Sequence, residues 1–133
     1  NAVERIYVPA AIHDEFVALA VEEVKKIKVG NPMDETVTMG PLALPEQLAT
    51  VEAHLSDAVK KGARVVLGGA RIPGPGYFFA PTLLTGVTHA MDVMTKETFG
   101  PVVAIAAYRD LEEAIALGAK EGRPVLVDIY KLH

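Results

Sequence analysis

Short runs of β-branched and aromatic residues recur along the chain and predict its strands. They lie at residues 4–8, 64–67, 78–84, 102–108 and 125–129. The run at 102–108 reads VVAIAAY and is apolar at every position but its last. Such a run is typical of a strand that is buried on both faces.

Between these runs, apolar positions three and four residues apart predict helices. The helices begin near residues 13, 45 and 110 and end near residues 27, 60 and 119. Gly30 is expected to cap the end of the first helix, and Asp110 opens a capping box at the start of the third. Strands that alternate with helices predict an α/β domain, with a mostly parallel sheet and flanking helices.

Composition limits the classes of function. The chain has 133 residues, of which 50% are hydrophobic and 23% charged, and this suits a single domain over residues 1–133. A net charge of −4 without a long basic run argues against nucleic acid and against an anionic membrane as partners. No signal peptide or membrane-length apolar run is present in this sequence, so a cytoplasmic location is expected.

Side chains suited to metal binding or covalent catalysis are few. The chain has no cysteine, and its four histidines are not at the spacing of a zinc site, so no metal site is expected. His54 and Ser56 are two residues apart on a helix and point to different faces, so they do not form a base and nucleophile pair. The local pattern predicts that both are solvated polar residues, and no catalytic residue is predicted.

Glu97 and Phe99 form the one local pattern that points to a ligand. In an extended segment, residues two apart project to the same side, so both side chains can face one ligand at the edge of the sheet. A carboxylate accepts hydrogen bonds from sugar hydroxyls, and a ring packs against a planar heterocycle. The alternative is that Glu97 is solvated and Phe99 belongs to the core.

Four segments resemble the NAD(P)-dependent aldehyde dehydrogenase superfamily, in matching order and spacing. They are ERIYV at residues 4–8, GNPMD through MGPL at 30–42, GYFFAPTL at 76–83, and KETFGPV at 96–102. The likeness covers about residues 1–119, whereas residues 120–133 form a tail without it. The fold that the resemblance implies is a truncated aldehyde dehydrogenase catalytic domain.

The resemblance also implies roles for particular residues. In the family's EExFGP motif the glutamate holds the nicotinamide ribose and the phenylalanine packs near the nicotinamide, so these cofactor-binding roles fall on Glu97 and Phe99. Gly100 and Pro101 would shape the turn that presents them, and Lys96 replaces the first glutamate of the motif. The implied cofactor is NAD or NADP, which this chain alone is not expected to bind.

The family's nucleophilic cysteine, general base and cofactor domain all precede the ERIYV-like strand, and this chain opens as though just after that cysteine. The resulting hypothesis is a piece of an aldehyde dehydrogenase without dehydrogenase activity of its own, because aldehyde oxidation needs a thiolate and a base. A small-molecule aldehyde would be the substrate only of the intact enzyme. Two alternatives stay open: a small esterase-type hydrolase that reuses the fold, and a structural self-assembling unit, since uncovered apolar faces favour self-association.

Overall fold

Four strands form one sheet in the computed structural model, which describes residues 3–121. The strands are β1 (Arg5–Pro9), β2 (Arg64–Leu67), β3 (Thr82–Thr85) and β4 (Val102–Tyr108). Their spatial order is β1-β4-β3-β2, in which β4 pairs parallel with both β1 and β3 and β2 pairs antiparallel with β3. The predicted α/β class with a mostly parallel sheet and flanking helices is confirmed, and the strand predicted at 125–129 lies outside the described residues.

The helices are α1 (His13–Val24), α2 (Pro45–Lys60), α3 (Asp92–Thr95) and α4 (Leu111–Glu121). The expectation that Gly30 caps α1 is wrong, because the helix ends at Val24. The Gly30 N–H instead donates to the carbonyl of Met39 at 3.1 Å, beside an isolated bridge between Val29 and Met39. The short helix α3 was not predicted, since four residues are too few to show a helical period.

Alternation along the central strands separates two apolar layers. On one face, Leu84 of β3 and Ala104 of β4 are fully buried in a cluster that includes residues of α2 and α3. On the other face, Leu83 and Ile105 are buried in a second cluster, against which Phe16 of α1 packs. The sheet therefore lies between α1 on one side and α2 with α3 on the other.

The ends of α2 and α4 follow local sequence rules. Pro45 occupies the first turn of α2, and Gly62, with φ of 101°, lies just past its end. At α4, the Asp110 carboxylate accepts the Glu113 N–H at 2.9 Å, as the capping box predicts. The Glu113 carboxylate, however, accepts the N–H of Arg109 at 2.8 Å, one residue before the expected donor.

Within residues 3–121, none of the helices combines the length and apolar character that crossing a membrane requires.

Candidate functional site

Residues 96–101 connect α3 to β4 at the amino end of the central strand. The carbonyl of Pro101 accepts the N–H of Thr82 at 2.8 Å, which ties this connection to the start of β3 as well. The segment that carries Glu97 and Phe99 therefore lies at one end of the sheet, beside the amino ends of the two inner strands β3 and β4.

Burial alternates along this segment. Glu97 is exposed, Thr98 is 1% exposed, and Phe99 is 67% exposed. The alternative in which Phe99 belongs to the core is wrong, because Thr98 occupies the inward position and leaves both neighbours on the solvent side.

β1 holds the helix that precedes this segment. The Arg5 guanidinium donates through Nε to the carbonyl of Val93 at 3.2 Å and through Nη2 to that of Lys96 at 2.6 Å. The Arg5 side chain is only 10% exposed, and its Nη2 lies 3.8 Å from the carboxylate of Glu4. One largely buried cation thus donates to a carbonyl of α3 and to the carbonyl of the residue just past it.

α2 also holds α3 in place. The Asp57 carboxylate accepts the N–H of Asp92 at 2.8 Å and the Lys61 ammonium at 2.7 Å. These two donors hold the pKa of Asp57 below its ordinary value, with the backbone N–H contributing most. Lys61 also donates to the carbonyl of Ala90 at 2.6 Å, so Asp57 and Lys61 together fix the start of α3.

His54 of α2 contacts the segment directly. Its Nδ1 lies 2.7 Å from Oγ1 of Thr98, and the His54 residue is 8% exposed. The expectation that His54 lies on a solvated face is therefore wrong, because Thr98 gives its ring a buried hydrogen-bond partner. Ser56 is exposed, as expected, and lies on a different face of the helix.

The chemistry available at the exposed side of the segment is that of one carboxylate and one ring. Within residues 3–121, no hydrogen bond or ion pair engages the Glu97 carboxylate, so its oxygens are available to accept hydroxyl donors. Lys96 beside it is paired with Asp92 at 2.8 Å, and this partner raises the pKa of the Lys96 ammonium. A free carboxylate next to an exposed phenyl ring fits the ribose and the planar base of a nucleotide cofactor.

No group of three or more histidine, cysteine, aspartate or glutamate side chains that could hold a metal ion is present in the described part of the chain.

The residues that hold the segment in place were not predicted from the sequence; they are Arg5, His54, Asp57, Lys61 and Thr98. Their partners lie 29 or more residues away along the chain, apart from Glu4 next to Arg5 and the pair that Asp57 forms with Lys61 just past the end of α2. No local pattern encodes such contacts. The one available signal was the alternation itself, since an extended segment with Glu97 and Phe99 outside must turn Thr98 inward.

Comparison with known proteins gives the same family that the sequence motifs indicate. The family model described as "Aldehyde dehydrogenase family" matches residues 1–120. Lactaldehyde dehydrogenase of Escherichia coli is 39% identical over 131 residues, which are 98% of this chain and 27% of the relative. Mitochondrial succinate-semialdehyde dehydrogenase of Rattus norvegicus is 46% identical over 114 residues, which are 85% of this chain and 22% of the relative.

Solved structures agree in fold. The crystal structure of Escherichia coli lactaldehyde dehydrogenase superimposes with a TM-score of 0.83 at 43% identity, over 88% of this chain and 25% of that one. The structure of 3,6-anhydro-L-galactose dehydrogenase in complex with NAP gives a TM-score of 0.82 at 39% identity, over 86% of this chain and 25% of that one. Betaine aldehyde dehydrogenase of Staphylococcus aureus in complex with NAD+ gives 0.80 at 36% identity, with 86% and 24% coverage.

The chain spans about a quarter of the length of these curated relatives, between 22% and 27% for the two named above. The relatives named here are dehydrogenases, and they give no support to the hydrolase alternative.

Proposed function

Since the chain belongs to the aldehyde dehydrogenase family, we propose that it forms part of an NAD(P)-dependent aldehyde dehydrogenase, in which it presents Glu97 and Phe99 to the nicotinamide end of the cofactor. The observation that supports this role most is the free, exposed Glu97 carboxylate beside an exposed Phe99 ring. The complexes of two structural relatives with NAP and NAD+ support the cofactor class.

Each residue has a distinct task in this proposal. The Glu97 carboxylate accepts hydrogen bonds from ribose hydroxyls and so fixes the position of the sugar. The Phe99 ring packs against the attached heterocycle and limits its tilt. When bound, the cofactor supplies the hydride acceptor for aldehyde oxidation.

The chain by itself is not expected to oxidise aldehydes. The family's chemistry begins with a thiolate that adds to the aldehyde carbon, and this chain contains no cysteine. Its contribution is therefore orientation, which matters because hydride transfer requires the reacting atoms to be held in a near-attack geometry. Cofactor-dependent aldehyde oxidation by the purified 133-residue chain would contradict this part of the proposal.

A chimaera tests the role of Glu97. Residues 3–119 replace the matching quarter of Escherichia coli lactaldehyde dehydrogenase, and the KM for cofactor is measured with and without Glu97→Gln. The substitution keeps size and removes charge, so the KM for cofactor should rise by about tenfold or more, as expected for loss of a charge-assisted hydrogen bond.

Glu15→Gln is the matched control, since Glu15 is also exposed but lies on α1, in the layer across the sheet. Its KM should equal that of the unsubstituted chimaera. An unchanged cofactor KM in the Glu97→Gln chimaera would remove Glu97 from the cofactor site.

A further inference from the structure

Thr98 lies between two exposed residues and is itself almost completely buried. Its exposed fraction is 1%, whereas Phe99 beside it is 67% exposed. A threonine hydroxyl in such a place needs a partner, because a buried polar group without one costs free energy. The identity of that partner decides what sets the direction of the segment.

The partner is His54, 44 residues earlier in the chain. Nδ1 of His54 and Oγ1 of Thr98 are 2.7 Å apart, and both residues are buried. A hydroxyl both donates and accepts, so this contact holds in either tautomer of the ring. α2 therefore hydrogen-bonds to Thr98 through one buried side chain.

Few other interactions act on the same residues. Within residues 3–121, the backbone groups of Glu97, Thr98 and Phe99 make no hydrogen bonds. Arg5 and Asp57 act earlier, on α3 and the carbonyl of Lys96. The His54 to Thr98 contact is thus the hydrogen bond that holds residues 97–99.

We propose that His54 is a positioning residue for the cofactor site, which it serves by holding Thr98 inward so that Glu97 and Phe99 project outward together. This inference rests on the proposed function, because it assigns His54 to the same site. His54 touches neither cofactor nor substrate in this proposal, and it acts only through Thr98. Without the contact, residues 97–99 have no hydrogen bond to fix their direction and should sample several orientations.

The test measures backbone order in the full 133-residue chain. 15N relaxation gives the order parameters of residues 97–99 for the unsubstituted chain and for Thr98→Val, which keeps the shape of the side chain and removes its hydroxyl. We expect values near about 0.85 in the unsubstituted chain and values near about 0.6 in Thr98→Val, the range of a flexible segment. Strand β4 should stay rigid in both.

Conservative substitutions provide the matched controls. Thr98→Ser keeps the hydroxyl and should stay as ordered as the unsubstituted chain. His54→Asn places a polar atom near the position of Nδ1 and should retain order, whereas His54→Leu should lose it. The His54 pair decides the question even where Thr98→Val does not fold.

Two results would overturn the proposal. One is a segment that stays ordered in Thr98→Val or in His54→Leu, and the other is a loss of order that spreads equally through β4 and α2. The measurement needs no cofactor, so its outcome is independent of the Glu97→Gln result in the chimaera. A rigid segment in His54→Leu removes the positioning role alone, and an unchanged KM in Glu97→Gln removes the proposed function alone.

Discussion

Gly100 shows how closely the segment before β4 approaches α2. A Cβ added at this glycine would lie 2.3 Å from Cγ2 of Val51, a distance that real Cβ contacts do not show. Val51 is itself fully buried in the cluster on this face of the sheet. The glycine is therefore required by a close approach of the turn to the helix, and its φ does not lie in the left-handed region.

Replacing Gly100 with alanine should destabilise the protein by about 1–3 kcal/mol, because the added methyl group overpacks a buried contact. Urea unfolding measures the difference. The double variant Gly100→Ala with Val51→Ala should be destabilised by less than the sum of the two single substitutions. The reason is that Val51→Ala removes the methyl group that the new Cβ would contact, so the two neighbouring sites couple.

Gly40→Ala provides the comparison, because the nearest atom to its added Cβ is 3.8 Å away. Its unfolding free energy should stay within about 0.5 kcal/mol of the unsubstituted value. Equal losses at Gly40 and Gly100 would show that chain entropy, rather than contact with Val51, sets the effect.

At the residue scale, the sequence identified the two side chains on the exposed side and missed those that hold them. Glu97 and Phe99 are recognisable because their types and spacing suit one ligand. His54 was predicted to be a solvated polar residue, because nothing in the neighbouring sequence indicates its hydrogen bond with Thr98, 44 residues further along the chain. The cofactor role of Glu97 and Phe99 stays a prediction.

Among the elements, α3 depends on side chains from other parts of the chain. Four residues cannot stabilise a helix by themselves, since nucleation fixes several dihedral angles for few hydrogen bonds. The Asp57 carboxylate supplies a partner for the N–H of Asp92, and Arg5 supplies donors for carbonyls near the other end.

The charge of Asp57 should make stability depend on pH at the acidic end. Its pKa is lowered in the folded protein, so its contribution is fully present above the unfolded value of about 3.9 and is lost as pH falls through the lowered pKa. Asp57→Asn keeps an acceptor oxygen and removes the charge. The variant should be less stable at neutral pH, and the difference should vanish at low pH in urea unfolding curves.

Asp34→Asn separates this effect from a general response of acidic groups. The pKa of Asp34 is also lowered, but by hydrogen bonds from Thr36 within its own turn. Its loss should therefore leave the amide resonance of Asp92 unchanged, whereas Asp57→Asn should shift it. Parallel pH curves for Asp57→Asn and the unsubstituted chain would contradict a charge-dependent hold on α3.

The predictability of the elements follows from their length and composition. The strand at 102–108 was predicted with its observed bounds, and the helix from Pro45 to Lys60 was predicted close to its own, because the apolar pattern continues through each and proline or glycine marks the boundary. The end of α1 was placed too late because Ile27 continues the apolar period after the helix has stopped at Val24. The glycine that seemed to cap it belongs to a bridge set by tertiary pairing.

For the whole molecule, exposed apolar residues of α4 bear on self-association, which stays a prediction. Leu111 is 52% exposed and Ile115 is 59% exposed, and their spacing of four residues places them on one helix face. We expect the chain to associate through this face as concentration rises, because association removes apolar area from water. Sedimentation velocity of the unsubstituted chain and of the double variant Leu111→Ser with Ile115→Ser measures it.

Met33→Ser is the matched control, as Met33 is 86% exposed and lies in the connection between α1 and α2. It should associate like the unsubstituted chain, whereas the double variant should sediment as a monomer. A monomer at every concentration of the unsubstituted chain would refute the prediction.

The long-range contacts around α3 also bear on the order of events in folding. The hydrogen-bond partners of Arg5 are 88 and 91 residues away in sequence. The partner of His54 is 44 residues away, and that of Asp57 is 35 residues away. Contacts of such separation close large loops and form slowly compared with local helices. The surface bearing Glu97 and Phe99 should therefore mature last, after β1 and α2 have docked on the sheet. A half-folded or nascent chain would then contain helices and strands before Glu97 and Phe99 are held outward together.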